Sequence, residues 1–323
     1  REMVIVSTGL LMLVYVITYG RILDWMASPR INLYIVLGPL LIGLFLWEQL
    51  RAPSPYVSLK PLMQWKAILG YFYMILIMLF STSTSLLTNY MTSILRVDNT
   101  HTYTLYVWLL PGYVLGAFLC FWWFRWQRWR FRFLIAGGMA CFALFFGLLY
   151  FTISPDSRYE MLYLPLFLRG LGMMVLLIAF GLFVVEDLQP KYMLSNAFFL
   201  ISFRAVLAPV LASSLYSNWL YHLQQRYLSD LSEHFTMVDT LAASRYTSSL
   251  TGNIAAGHGI NEAMQLATNT LYTTLQQQST LLALKHILGW LTVITVVIAV
   301  VSRFIPFHKT IRVPVIHTGE DMV

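Results

Sequence analysis

Residues 161–185 read MLYLPLFLRGLGMMVLLIAFGLFVV, a run whose one charge is Arg169. Its reading decides the fold. A hydrocarbon core about 30 Å thick is crossed by roughly 20 largely apolar helical residues, so this stretch is predicted to be a transmembrane helix. Working outward in both directions, seven more stretches qualify, near 3–20, 31–48, 67–89, 102–124, 133–153, 193–215 and 286–302. Between them lie polar or proline-bearing breaks: GRILDWMASPR, EQLRAPSPYVSLKP, SILRVDNTHT, RWQRWRFR, SPDSRYE and EDLQPKYM. Each can reverse the chain at a membrane surface. The second stretch is uncharged only from Ile31 to Trp47, which leaves a buried re-entrant element as its alternative.

Composition agrees with this pattern. Hydrophobic residues make up 58% of the chain and charged residues 11%, against about 25% charged in a soluble domain. A water-soluble fold is excluded on that ground. The formal charge of +7 would suggest nucleic acid in a soluble protein, but in this chain it follows the spans, and no nucleic-acid partner is expected. Arg1, Arg51, Lys60, Lys66, Arg125, Arg128, Arg130, Arg132, Lys191, Arg303, Lys309 and Arg312 fall on one side; short loops of the other hold Arg21, Arg30, Arg96 and Arg158. The excess of Lys and Arg marks the cytoplasmic side, which puts both termini inside the cell. The opening REMVIVSTGLLMLVYV lacks the features of a signal peptide and reads as the first span. Cys120 and Cys141 both sit in apolar runs and read as buried free thiols. Phe121, Trp122, Trp123, Phe124, Trp126 and Trp129 cluster at a span end, where amphipathic rings favour the headgroup layer.

One connection differs from the others. Residues 216–285 form a long polar insertion on the outer face. Apolar residues at Trp219, Leu220, Leu223, Tyr227, Leu228, Leu231 and Phe235 recur at three- and four-residue spacing, predicting an amphipathic stalk that continues the seventh helix. TSSLTGNIAAGHG reads as a flexible turn, after which Met264, Ala267, Leu271 and Leu275 resume the pattern into the last span. The insertion is either a hairpin packed on itself or a docking surface for a periplasmic partner.

Charges at bilayer depth are costly and mark functional candidates. Two lie deep, Arg169 in LPLFLRGLGMMV and Arg204 in FFLISFRAVLAPV. At a 1.5 Å rise per residue they lie about 12 Å and about 16 Å into antiparallel spans, at similar depth. Each either lines a solvated pathway or bonds backbone carbonyls to hold helices together; the spans contain no Asp or Glu to pair with them. Asn196 and Tyr90 join them as candidate pathway residues. Pro111, Gly112 and Gly116 in LLPGYVLGA, with Gly170, Gly172 and Pro209, allow bending and close helix approach, for packing or for movement. Tyr71, Tyr73, Met74, Met78, Tyr90 and Met91 add a soft aromatic surface to the third span, for core packing or for varied apolar ligands. An enzyme is not expected. His101, His222, His234, His258, His286, His308 and His317 are scattered without metal-ligand pairing, no hydrolase or phosphate-cradling motif occurs, and no cofactor is called for.

In order and spacing, these features resemble the fourteen-span drug:proton antiporters of the major facilitator superfamily, the EmrB/QacA type. WEQLRAPSPYVSLKPL is similar to the family's cytoplasmic segment, LLPGYVLGA to its LPxG helix, LFLRGLGMM to its RGxGxG helix and LSNAFFLISFRAV to its Ser, Asn and Arg helix. The resemblance implies an all-α, polytopic transmembrane helix bundle: a major-facilitator-like C-terminal half with two extra linker helices. Residues 1–60 would be the linker pair, 61–305 a six-helix bundle carrying the outer loop 216–285, and 306–323 a cytoplasmic tail. It further implies two inverted three-helix repeats, with spans three, four, six and seven around a central cavity, and proton-coupled efflux of small lipophilic compounds across the inner membrane. The partner bundle of six N-terminal helices, with the acidic coupling residue, would complete the machine, and a periplasmic adaptor is a further implied partner. The pattern departs from the family in two places: RWQRWRFR keeps only the bases of a gating motif, and AVLAPVLASS replaces a glycine-rich stretch. The alternative is a non-transporting membrane scaffold or truncated remnant that binds a partner through its outer hairpin.

Overall fold

The computed structural model describes residues 2–52, 57–59, 62, 64–126, 131–185, 188–234 and 240–305. Arg1, Lys60, Arg128, Trp129, Arg130, Phe235 and the tail 306–323, all used in the charge and pattern arguments above, lie outside them. The described residues are helical with short turns. In chain order the helices are α1 (Glu2–Tyr19), α2 (Pro29–Arg51), α3 (Trp65–Thr82), α4 (Thr84–Ser93), α5 (Asn99–Tyr106), α6 (Leu109–Trp126), α7 (Phe131–Thr152), α8 (Tyr163–Val185), α9 (Met193–Ile201), α10 (Ala208–His234), α11 (Thr240–Ala255) and α12 (Ile260–Phe304). A π-helical segment, Ser202–Leu207, joins α9 to α10.

Taken with these joins, eight helical units are long and apolar enough to cross a membrane. α2 is one of them; at 23 residues it extends about 34 Å, so it needs no re-entrant turn. The outside of the bundle is as apolar as its inside: Leu11, Val36, Val114, Phe118 and Phe151 are exposed. Such a surface suits hydrocarbon and not water.

Helices α3, α4, α7, α8, α10 and α12 share one large core. It is rich in aromatic rings, with Tyr73 stacked on Phe180 at 4.6 Å and Phe80 meeting Phe142 and Phe146 at 5.9 and 6.0 Å. Helix α8 is the centre of the packing, with α3, α6 and α7 against it. Glycines set how close those neighbours come. A Cβ at Gly112 would lie 2.3 Å from the Phe167 carbonyl, one at Gly170 2.5 Å from the Leu109 carbonyl, and one at Gly172 2.9 Å from the Gly138 carbonyl. Gly116 faces the Leu171 carbonyl in the same crossing. The glycines singled out in the sequence are therefore contact points where only a hydrogen fits.

Helices α1 and α2 pair with each other, and α1 also touches α10. At the end where α1 begins, Gln49 donates to Glu2 and accepts from the Val57 amide, while the Ser58 amide donates to Ser195 at 2.8 Å. Tyr73 and Ser302 share a hydrogen bond of 3.0 Å near the same end. The start of α1 and the end of α12 therefore share one face, called the terminal face below, and the turn between α11 and α12 lies toward the opposite one, the hairpin face.

The insertion differs from its sequence reading. TSSLTGNIA is not a flexible turn but the latter part of helix α11, and the reversal is confined to residues 256–259, where Gly257 adopts φ 95°. Its hydroxyls bond back along the helix, Thr247 to Ala243 and Thr251 to Thr247 at 2.9 and 2.8 Å. α12 runs unbroken for 45 residues from this turn to the terminal face. Its buried positions in the insertion are Ala263 and Ala267 and, farther along, Ser279, Thr280, Leu281, Ala283 and Leu284; Met264, predicted on that face, is exposed.

Candidate functional site

Two spans that read as continuous are discontinuous in the structure. The first break lies in STSTS, residues 81–85, where α3 ends and α4 begins. Hydroxyl side chains offer the backbone alternative partners, and each does so: Thr82 bonds the Met78 carbonyl, Ser83 that of Phe80, Thr84 that of Ser81 and Ser85 that of Thr82. The second break separates α5 from α6 at Val107 and Trp108. Pro111 accounts for it, because proline has no N–H for the carbonyl of residue 107 and its ring crowds that carbonyl; the Leu110 amide takes it instead, at 3.0 Å.

Arg169 reaches the first break. It is buried, 4% exposed, and its Nη2 donates to the Ser81 carbonyl at 2.5 Å and to Ser81 Oγ at 3.3 Å. Both readings of the sequence bear on it: one nitrogen bonds a backbone carbonyl, while Nε and Nη1 are buried without a hydrogen-bond partner among the described residues. Around it stand polarizable groups. Ser81 Oγ and Tyr113 Oη each donate to Met173 Sδ at 3.4 Å, the Phe145 ring centre lies 5.9 Å from the guanidinium carbon, and Tyr106, Tyr113 and Tyr216 are its electrostatic neighbours. Tyr106 shares a 2.9 Å hydrogen bond with Thr88.

From there a polar track leads toward the hairpin face. Ser85 and Asn89, four residues apart on α4, share one side of it, and Ser81 lies just across the break on α3. Ser85 and Asn89 face Ser213, Ser214 and Ser217 of α10 across a cavity of about 270 Å³, also lined by Tyr216 and by Thr18 of α1. Tyr216, fully buried, donates to the Leu79 carbonyl at 3.0 Å and belongs both to this cavity and to the surroundings of Arg169. Asn89 also lines a second cavity, about 320 Å³, walled by Arg96, Gln224, Gln276 and Gln277. Arg96 sits there with φ 52°, a left-handed backbone that costs a non-glycine residue of order 1–3 kcal/mol.

Other candidates lie apart from this track. The Tyr90 hydroxyl donates to the Ser154 carbonyl at 2.7 Å, and Asn196 accepts from the Tyr71 hydroxyl. Tyr71, Tyr73, Met74, Met78 and Met91 are buried and pack in the protein core. Arg204 lies in the π-helical segment, half-buried, with no hydrogen bond or ion pair among the described residues. Pro209 follows directly, and the wide turn, closed by the Ala208 amide on the Phe203 carbonyl, accommodates the N–H that proline lacks. Arg169 meets α3 at Ser81, whereas Phe203, adjacent to Arg204, meets it at Tyr71 with ring centres 5.6 Å apart. Those points are about 15 Å apart along the helix, so the two arginines do not converge on one site.

No protein-family model matches the chain, and no curated protein is significantly similar to it. The function therefore rests on the track itself. Its key members Ser81, Ser85, Asn89 and Tyr216 were not singled out in the sequence; the signal was the STSTS run and its four-residue continuation to Asn89.

Proposed function

We propose that the chain is the C-terminal part of a secondary active transporter, of the architecture of the fourteen-span drug:proton antiporters, exporting lipophilic compounds against proton entry. On this reading α1 and α2 are the linker pair, and the remaining six spans form one half of an alternating-access machine with an N-terminal six-helix bundle as partner. The positive-inside pattern supports an inner-membrane location with both termini cytoplasmic. The observation that carries the reading is Arg169: a buried cation with unspent donors, held at a helix break, with Tyr216 reaching from its surroundings to a polar cavity between α4 and α10. A simple anchor has no use for that cost, whereas discontinuous helices beside a charge are the usual makings of a transport site.

Everted membrane vesicles containing the full-length protein test it. A neutral lipophilic dye, Nile red, is expected to accumulate on imposing an inward-acid pH gradient and to leak when the gradient is collapsed; no gradient-dependent accumulation of it overturns the reading. In the same assay Arg169→Gln is expected to abolish export with expression intact, and unchanged export removes Arg169 from the pathway.

A second reading has its own support. α12 extends about 67 Å, roughly twice the hydrocarbon thickness, so the hairpin of α10, α11 and α12 stands well clear of the spans. As a scaffold, the chain would bind a periplasmic adaptor through it. Deleting residues 236–258 separates the two: a scaffold loses its partner, while a transporter working alone keeps gradient-dependent export.

A further inference from the structure

The track from Arg169 to the hairpin face carries no acid. Every Asp and Glu of the sequence lies at a span end or in a connection, none between residues 99 and 155 or between 161 and 185. Among the described residues no acidic side chain pairs with Arg169. Its guanidinium has five N–H donors. Nη2 is spent on Ser81, and the three hydrogens on Nε and Nη1 face no partner among the described residues. Leaving such donors unmade in a buried site is costly, and an isolated buried cation is costlier still.

The rest of the track is of one chemical kind. Ser85, Asn89 and Ser217 can donate hydrogen bonds, and its far cavity ends on a second cation, Arg96, flanked by Gln276 and Gln277. Cations at both ends with neutral donors between them favour a negative charge along the whole path. The walls at the deep end are Phe145, Tyr113 and Met173, too apolar and polarizable for a site made for a hydrated inorganic ion.

We infer that Arg169 is the receptor for the carboxylate of an amphipathic organic acid, which enters or leaves past Arg96. The inference rests on the transporter reading for its biological sense, but the site itself is testable without transport. The carboxylate would complete the Arg169 donor set with charge-assisted hydrogen bonds, and the apolar part of the ligand would lie against the aromatic and Met surface.

The test is a ligand-induced thermal shift of the purified full chain in detergent, with sodium decanoate against decanol, acetate and chloride. Wild type is expected to show a saturable shift with decanoate alone. Arg169→Gln is expected to weaken it about tenfold or more, with Arg169→Lys retaining part of it. Equal shifts from decanoate and decanol, or an undiminished shift in Arg169→Gln, overturn the inference; so does an equal response to acetate or chloride, which would show a general anion site. Should Arg169→Gln not fold, Arg96→Gln decides: it is expected to weaken decanoate several-fold with decanol unchanged, and an unaltered decanoate response counts against the route. Full-length vesicles that export Nile red while decanoate neither binds nor competes would end this inference and leave the transporter reading standing. Decanoate binding without export of any compound would do the reverse.

Discussion

The backbone of Gly112 approaches Phe167 so closely that a Cβ at residue 112 would lie 2.3 Å from the Phe167 carbonyl oxygen. Neither partner in this contact is a flexible side-chain tip, so the crossing of α6 and α8 cannot absorb a methyl group without moving a helix. Gly112→Ala is expected to destabilise the protein by about 1–3 kcal/mol. Gly137, whose Cβ would meet nothing within 4 Å, is the control: Gly137→Ala should be neutral or stabilising by up to about 1 kcal/mol. Thermal melting in detergent compares the two, and equal melting temperatures would contradict the crossing.

Tyr71 and Asn196 join α3 to α9 through a buried hydrogen bond. Asn196→Ala leaves the Tyr71 hydroxyl without its acceptor, and a loss of about 1–3 kcal/mol is expected. Adding Tyr71→Phe should cost little more, because the two substitutions remove the same bond. A double-mutant cycle reads this as coupling of at least about 0.5 kcal/mol; strict additivity would show that the bond is absent in solution.

Pro209 deprives the Ala205 carbonyl of its usual amide partner, and the segment Ser202–Leu207 widens just before it. Pro209→Ala restores an N–H and is expected to let the wide turn close into ordinary α-helix. Amide hydrogen exchange over residues 202–207 should slow in the variant. Unchanged exchange would show that Phe203 and its ring contact with Tyr71, not the proline, hold the segment open.

The face assigned to the hairpin can be read chemically. Cys120 is buried, Cys141 is partly so, and both lie within spans, so the native background for a membrane-impermeant maleimide should be low. A cysteine at Gly252, whose added Cβ meets nothing, is expected to label from outside intact cells. Labelling only after the membrane is opened would invert the orientation that the Lys and Arg distribution predicts.

The eight spans were legible because bilayer thickness and apolar length are properties of a single stretch. The limits of α1, α7 and α8 fall within two residues of their sequence reading. The breaks in the third and fourth spans were less so: STSTS is short enough to pass within a span, and hydroxyls bonding nearby carbonyls weaken the helix there without announcing where it ends. Pro111 announced a kink, but its depth depends on how the Val107 carbonyl is satisfied. Arg169 was visible as a charge, whereas its contact with Ser81 joins residues far apart in sequence and follows from the glycine crossings that seat α8 between its neighbours. Equal depth for Arg204 failed for a related reason: counting residues from a span end ignores how far each helix slides along α3.

Helix α12 has no break between the turn at Gly259 and Ile305. It is therefore a lever as well as a span. A tilt of about 10° about its middle swings each end of a rod about 67 Å long by roughly 6 Å, with no hinge along its length to dissipate the motion. Any shift of α7 or α10, both packed against its membrane part, is delivered to α11, which rides on its far end. What happens among the spans is thereby displayed at a distance from the bilayer.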